Sequence, residues 1–507
     1  MTGGERSIDG RAGLVLVILT ALVIAPQLGS GLVLYDVGEV FYFADAIGRG
    51  LRPGIDYTVN AYGPGRYLLM AGIFSATGPS LAAWGAVLLA SRLGITALAW
   101  AVGRRFLPPR WALLPVLCLL IAPGPLHKGF YLLGTLALVW ALLRYLERPG
   151  RRQAGVFGLI LVAVACFRLD LGAFGGLAML LVGGSRRDRW RDGVVAFAPL
   201  GWGLLLSGLA LAAVGSLGPV LAQMADDVLK NQRIHHPSFP GPGRLLSGDV
   251  DAVFLWLPVA VYAALATHFL WTVRREGDVV PIDERRRVAL LLLLGGLTCN
   301  QVRMKPEFGH LLQAGPLLWL ACALLLERLG RRGRGRQAAS MALALALVGG
   351  LAGHTLGKHR GSVYTGSFTI RGERDQVLDT RLGAVRLNPG EFAELEPTLR
   401  WLDAQPPGPL WVPTNQPLLL ALSGRRDVTG RVGVVYYADS RAAQRDVIDR
   451  LETHRPALAV FVDDTIEGPE RMLGVAAPRV HSYLLTNYVD VERHGRFRLM
   501  RRSPSAQ

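Results

Sequence analysis

The chain has 507 residues, 51% of them hydrophobic, and carries 55 Lys and Arg against 38 Asp and Glu, a formal net charge of +17. The apolar residues fall in long blocks separated by short arginine clusters, which excludes an ordinary soluble domain and makes this a polytopic membrane protein. Because the positive charge sits in those clusters, it reads as a topology signal, and no nucleic-acid partner is expected.

In chain order, runs at 13–29, 80–103, 111–124, 129–146, 194–215, 251–273, 288–301, 310–327 and 338–357 read as membrane spans. A further run, 154–184, is broken at Phe167-Arg168-Leu169-Asp170 and reads as two shorter helices meeting at a polar tip, for about eleven transmembrane helices in all. No small-x-small cleavage site follows Pro26, so the first apolar run is expected to stay as an uncleaved helix. Every second connection is basic. It holds Arg104, Arg105 and Arg110, then Arg144, Arg148, Arg151 and Arg152, then Arg186, Arg187, Arg189 and Arg191. The last two hold Arg274, Arg275 and Arg285 to Arg287, then Arg328, Arg331, Arg332, Arg334 and Arg336. The positive-inside rule therefore predicts an N-in, C-out chain. All four cysteines, Cys118, Cys166, Cys299 and Cys322, lie in apolar segments, so no disulfide framework is predicted.

From about residue 358 the long apolar runs stop. Short strand-like runs at Leu410 to Pro413, Ala457 to Val462 and Arg496 to Met500 alternate with amphipathic stretches such as Ala442 to Glu452. The expected organisation is a transmembrane domain over 1–357, with a first outer loop at about 30–79, followed by an extracytoplasmic α/β domain over 358–507. No internal repeat or heptad array is evident.

The first outer loop is unusually rich in chemistry for a connection between spans. Asp36 and Glu39 lie three residues apart, and Asp45 and Asp56 follow. If Glu39 to Ala46 is helical, Glu39, Tyr42 and Phe43 share a face suited to the bilayer interface, and Asp36 stands at the helix start, where it also suits an N-cap. Tyr62-Gly63-Pro64-Gly65-Arg66-Tyr67 makes a fixed turn into the next helix, either a simple re-entry turn or, with Asp56 and Tyr57, a substrate contact.

These residues resemble the membrane-embedded C-type glycosyltransferases that use a polyprenyl-phosphate-linked sugar, notably bacterial members similar to lipopolysaccharide-core and protein O-mannosyltransferases. The resemblance rests on Asp-x-x-Glu-x-x-Tyr at Asp36, Glu39 and Tyr42. It rests also on a Gly-x-x-x-Gly-x-Asp-Tyr stretch at Gly50, Gly54, Asp56 and Tyr57, and on the Tyr62 to Tyr67 turn. In the C-terminal region it extends to the run from Val412-Pro413 through Leu418 to Gly424-Arg425-Arg426. The resemblance implies an inverting transfer with Asp36 as general base, since an acceptor hydroxyl must lose its proton as it attacks the anomeric carbon. It assigns Glu39 and Asp56 as supporting acids. Several relatives carry two adjacent acids where this chain has Asp36-Val37-Gly38-Glu39. The implied partners are a polyprenyl-phosphate sugar donor, membrane lipid, and an envelope glycan, glycolipid or protein acceptor. The implied location is the plasma membrane, with the active site outside. No cofactor is firmly implied, and a divalent cation fits some members.

A departing lipid phosphate needs cations. Arg303, Lys305 and His310 lie together between two spans on the predicted outer side, either as phosphate contacts or as snorkelling interfacial residues. Arg168 and Asp170 form a second candidate, as a structural ion pair or a substrate contact, and Lys128 a third. Arg233, His235 and His236 lie in the long connection from Ser216 to Val250, which is suited to closing over an acceptor; no third ligand at diagnostic spacing supports zinc, and the metal ligands are unknown. A transporter or flippase would show paired repeats, and a lipid-linked glycan polymerase would gather its basic residues in a late outer loop. A non-catalytic envelope-assembly protein would tolerate loss of Asp36.

Overall fold

The computed structural model describes residues 3–59, 62–183, 190–234, 239–275, 281–331, 333–358, 374–414, 416–438, 440–462 and 472–504. It is mostly helical, with seven helices among the described residues long and apolar enough to cross a membrane, and a small strand-bearing C-terminal region. In chain order the helices are α1 (Gly3–Ile24), α2 (Asp36–Gly48), α3 (Gly65–Thr77), α4 (Leu81–Phe106), α5 (Pro109–Ile121), α6 (Gly129–Glu147), α7 (Arg151–Phe167), α8 (Leu169–Ala178), α9 (Trp190–Ala213), α10 (Leu217–Ile234) and α11 (Pro242–Leu246). There follow α12 (Val250–Arg275), α13 (Ile282–Thr298), α14 (Asn300–Met304), α15 (Phe308–Gly330), α16 (Arg334–Gly357), α17 (Pro389–Asp403), α18 (Leu418–Ser423), α19 (Val434–Tyr437), α20 (Arg441–His454), α21 (Leu473–Ala476) and α22 (Pro478–Asn487). The strands are β1 (Gln376–Thr380), β2 (Gly383–Leu387), β3 (Leu410–Trp411), β4 (Leu458–Val462), β5 (Tyr488–His494) and β6 (Phe497–Arg502).

Each apolar run of the sequence lies on a helix. The full-length spans are Gly10–Gln27, Leu81–Phe106, Leu126–Glu147, Trp190–Ala213, Val250–Arg275, Phe308–Gly330 and Arg334–Gly357. The other four runs form α5, α7, α8 and α13, of 13, 17, 10 and 17 residues. At about 1.5 Å per residue these rise roughly 15 to 26 Å, short of a hydrocarbon core of about 30 Å.

The chain divides into two compact units. The first comprises Met1–Leu28, Val87–Leu209 and Leu229–Thr369; the second Gly29–Ala86, Ala210–Val228 and Ile370–Gln507. In the first unit the spans have nearly equal hydropathy but unequal burial. The best apolar window of α15 is 78% buried and that of α6 72%, against 6% for α9. The centre of the unit is therefore α15 and α6, with Trp319, Tyr131, Tyr145 and Phe157 fully enclosed. Lipid tails are as apolar as leucine, so contact between helices here depends on side-chain fit more than on hydropathy.

In the second unit the sheet order is β3-β4-β6-β5, with β3 parallel to β4 and the other two pairs antiparallel. Trp411, Phe461 and Met500 from the sheet meet Val447 and Leu451 of α20 and Val480 and Leu484 of α22 in one core. Asn388 and Glu391 form a reciprocal capping box that starts α17, and the Ser440 hydroxyl caps α20. The first outer loop belongs to this same unit. Val40, Phe41, Phe43, Ala44 and Ala46 of α2 are buried, with Phe41 against Phe74 of α3 at 4.8 Å and Phe43 against Tyr67 at 4.7 Å. Burying a side chain such as Val or Phe contributes about 1.5–3 kcal/mol. Tyr42 and Phe43 are thus enclosed by protein, which corrects the expectation that their face lies on the bilayer interface.

Candidate active site

The acids of the first loop are brought together by α2, and their environments differ. Asp36 is the first helical residue and Tyr35 occupies the N-cap position without a side-chain hydrogen bond, so Asp36 is not the cap. Asp36 and Glu39 both lie in the first turn, where the aligned peptide dipoles favour a negative charge. Glu39 is only 2% exposed and pairs with Arg66 at 3.1 Å. Arg66 in turn reaches the Tyr67 hydroxyl at 2.5 Å and lies over the rings of Tyr62 (5.3 Å) and Tyr67 (4.7 Å). Burial alone would lower the Arg66 pKa; Tyr67, Glu39 and Asp36 more than reverse that and raise it. The Tyr62 to Tyr67 turn is therefore folded back on α2 through this one guanidinium.

The remaining carboxylates have local partners. Asp45 pairs with Arg49 at 2.8 Å. Asp56 accepts from the Arg52 backbone N–H (2.8 Å) and from Arg52 Nε and Nη2 (3.2 Å each), and these bonds, the side-chain one first, hold its carboxyl below the usual range. Tyr57 is buried against Phe43, with its hydroxyl pushed up to about 12 by burial. Asp56 and Tyr57 thus shape the loop, Tyr62 is exposed, and Asp36 stands half-buried at the head of α2.

The C-terminal region holds α2 from its other side. The Leu418 N–H donates to Leu34 O at 3.1 Å. A Cβ at Gly38 would lie 2.3 Å from Leu418 N, so α18 rests on the bare backbone of α2. Farther along, Tyr42 donates to Asp427 at 3.4 Å, the Thr58 N–H donates to Gly430 O at 2.8 Å, and Arg450 donates to Ile55 O at 2.8 Å. Asp427 is half-buried and also accepts from Thr429 and from the Gly430 N–H; desolvation raises its pKa against those bonds. Tyr35 stacks on Tyr436 at 5.2 Å. On the loop's other flank, Gln223 of α10 accepts from the Val59 N–H at 3.0 Å and donates to Gly54 O at 2.8 Å.

The first unit carries the predicted cations. Arg168 is the extended residue shared by the end of α7 and the start of α8, as the polar-tip reading requires. Its Nε and Nη2 donate to Asp170 at 3.0 and 2.7 Å, and it lies over the Tyr131 ring at 4.7 Å. Asp170 also accepts from Gln301 at 3.1 Å and from the Leu171 N–H at 2.9 Å. Lys305 and His310 share Glu307, at 3.6 and 3.5 Å, and Lys128 acts electrostatically on the same histidine. Arg303 is exposed and turns to Asn300 at 2.9 Å, so Lys305 and His310 form the closer group. The side chain of Arg233, together with His235 and His236, lies outside the described residues. Among the described residues no three His, Cys, Asp or Glu side chains converge on a metal-sized site.

Sequence reasoning missed Arg92. It is buried within α4 and donates to the carbonyls of Pro123, Gly124 (3.2 Å) and Pro125 (2.9 Å), fixing the turn that carries Lys128. The signal was available as a single arginine inside an apolar run.

No protein-family model matches the chain, and no curated protein matches it in sequence. Several solved structures match it in fold, among them two that carry a lipid phosphate. ArnT from Cupriavidus metallidurans bound to undecaprenyl phosphate superposes with a TM-score of 0.55 at 14% identity, covering 100% of this chain and 99% of that one. The archaeal oligosaccharyltransferase AglB from Archaeoglobus fulgidus, in complex with an inhibitory peptide and a dolichol-phosphate, gives 0.57 at 11% identity, covering 97% of this chain and 74% of that one. The chain has the fold of the membrane-embedded C-type glycosyltransferases.

Proposed function

We propose that this protein is an integral-membrane glycosyltransferase that moves a sugar from a polyprenyl-phosphate donor to a cell-envelope acceptor outside the plasma membrane. The observation that carries this is the division of labour among the loop acids. Asp45 and Asp56 hold local arginines four residues away in the chain, whereas Asp36 and Glu39 lie together in the first turn of α2 beside Arg66, with Asp36 half-buried and Glu39 enclosed. The donor class is supported by undecaprenyl phosphate in the ArnT structure and dolichol-phosphate in the AglB structure, both of which share this fold.

In the proposed reaction the acceptor hydroxyl attacks the anomeric carbon as the bond to the lipid phosphate breaks, inverting that centre. Asp36 takes the hydroxyl proton. Arg303, Lys305 and Lys128 are assigned to the negative charge that grows on the leaving phosphate, an electrostatic contribution that is often the largest in such transfers. Glu39 supports Asp36 through Arg66. The arginine pattern supports eleven membrane segments with the N-terminus inside and the C-terminal region outside.

The test is transfer from a panel of radiolabelled polyprenyl-phosphate sugars by purified wild-type and Asp36→Asn protein, with and without chelator. Labelled product from the wild type alone identifies the donor and supports Asp36 as base. Product at equal rates from both proteins excludes that role, and lipid binding without release from any donor moves the protein to a transport or scaffold function.

A further inference from the structure

The ends of α5, α15 and α16 enclose a cavity of about 290 Å³, lined by Arg110, Trp111, Glu327, Arg331, Arg334 and Gln337. These are the arginine-bearing ends of apolar helices, two of them full-length spans, so the cavity lies at the level where lipid head groups sit.

Its charges are arranged in a way the protein itself leaves incomplete. Arg110 and Arg334 are exposed and have no ion-pair partner among the described residues. Each lies in the first turn of a helix, α5 or α16, that has no side-chain cap, so the positive end of each helix dipole adds to the field. Beneath them Glu327 is only 5% exposed. One of its carboxylate oxygens takes the Arg331 Nε–H at 2.5 Å, while the other, Oε2, is enclosed and has no hydrogen bond among the described residues. A buried carboxylate oxygen without a donor is costly, and a rim of unpaired guanidinium groups calls for an anion. Arg110 and Arg334 do not satisfy Glu327, so the cavity presents an empty place for a cation under an empty place for an anion.

One kind of ligand answers both. We propose that this cavity binds the head group of an aminophospholipid of phosphatidylethanolamine type, with its phosphate on Arg110 and Arg334 and its primary ammonium donating to Glu327 Oε2. Phosphatidylglycerol has the phosphate but no cation for Glu327. Phosphatidylcholine has a cation without an N–H to donate. Basic pockets between membrane helices are established head-group sites, and the buried acid is what selects the amine here.

The experiment uses the full chain in detergent, titrated with an equimolar mixture of phosphatidylethanolamine, phosphatidylglycerol and phosphatidylcholine of identical acyl chains and read by native mass spectrometry. The wild type should retain phosphatidylethanolamine above the other two. Glu327→Gln should lower that retention about tenfold, to the phosphatidylcholine level. An Arg110→Ala/Arg334→Ala variant should lower retention of all three. Both arginines are exposed, so this variant keeps the test decisive if Glu327→Gln, which unpairs Arg331, does not fold. Equal retention of the three lipids by the wild type overturns the proposal, as does wild-type retention of phosphatidylethanolamine by the double arginine variant.

Discussion

Gly38→Ala tests whether the C-terminal region holds the proposed base in place. The added methyl would lie 2.3 Å from Leu418 N and 2.9 Å from both Leu418 Cα and Pro417 C. All three are backbone atoms, so no rotamer change relieves the contact; α2 and α18 must separate by about 1 Å to restore ordinary packing. Overpacking of this kind costs about 1–3 kcal/mol, and the separation also weakens the Leu418 N–H to Leu34 O bond, worth about 0.5–1.5 kcal/mol. Against this, replacing glycine within a helix contributes up to about 1 kcal/mol in favour. The net result is a loss of about 1–3 kcal/mol concentrated on the seating of α2. If Asp36 is the base, a misplacement of about 1 Å is enough to slow transfer by up to about 100-fold. The measurement pairs transfer rate with amide hydrogen exchange across α2. Gly48→Ala is the control, because it makes the same change on the same helix where nothing lies within 4 Å of the new Cβ. Gly38→Ala protein that transfers at the wild-type rate and exchanges no faster in α2 would refute the reasoning. Faster exchange with unchanged transfer would keep the seating and remove Asp36 from the reaction.

The other expectations concern charges held in the fold. Arg66→Gln leaves Glu39 buried without its cation and should cost about 3–5 kcal/mol in thermal or denaturant unfolding, whereas Glu39→Gln/Arg66→Gln should recover most of it; a single variant as stable as the wild type would contradict the pairing. Asp427 has a raised pKa, so its folded form binds a proton more tightly than the unfolded chain does. Its contribution therefore favours folding below the ordinary carboxylate range and is lost as pH rises through its folded value, so Asp427→Asn should gain melting temperature over the wild type as pH is raised from about 4 to about 7. A gap that narrows over that range would be the wrong sign. Arg92→Leu strips three carbonyls of their donor, at about 1–3 kcal/mol each if they stay buried, and should loosen the 122–128 turn in hydrogen exchange.

Where one local stretch determines the outcome, the sequence was readable. Apolar runs became helices because backbone groups have no other way to be satisfied in a bilayer. The Phe167-Arg168-Leu169-Asp170 break was legible for the same reason: two charges two residues apart inside an apolar run have to meet each other or a partner, and here they meet each other at 2.7 Å. Three of the six strands, β3, β4 and β6, fall on the short apolar runs of the C-terminal region, and β1, β2 and β5 do not. What stayed hidden was everything set by packing between distant segments. Hydropathy ranks α9 above α15, yet α15 is central and α9 peripheral, because hydropathy does not distinguish a helix wrapped by protein from one wrapped by lipid. Tyr42 and Asp427 are 385 residues apart, and no periodicity links them.

The loop acids show how this limit bears on function. In the sequence only the family resemblance separates Asp36, as base, from Glu39, as supporting acid; both are carboxylates, three residues apart in the first turn of a helix. The fold makes them unequal through residues elsewhere. Arg66, 27 positions on, returns over a Gly-Pro-Gly turn and engages Glu39, while Gly38 between them is kept bare so that α18 can rest on the helix. A motif can therefore name the residue types a reaction needs. How deeply each of two such acids is buried, and where the arginine beside them sits, is determined by residues that the motif does not contain.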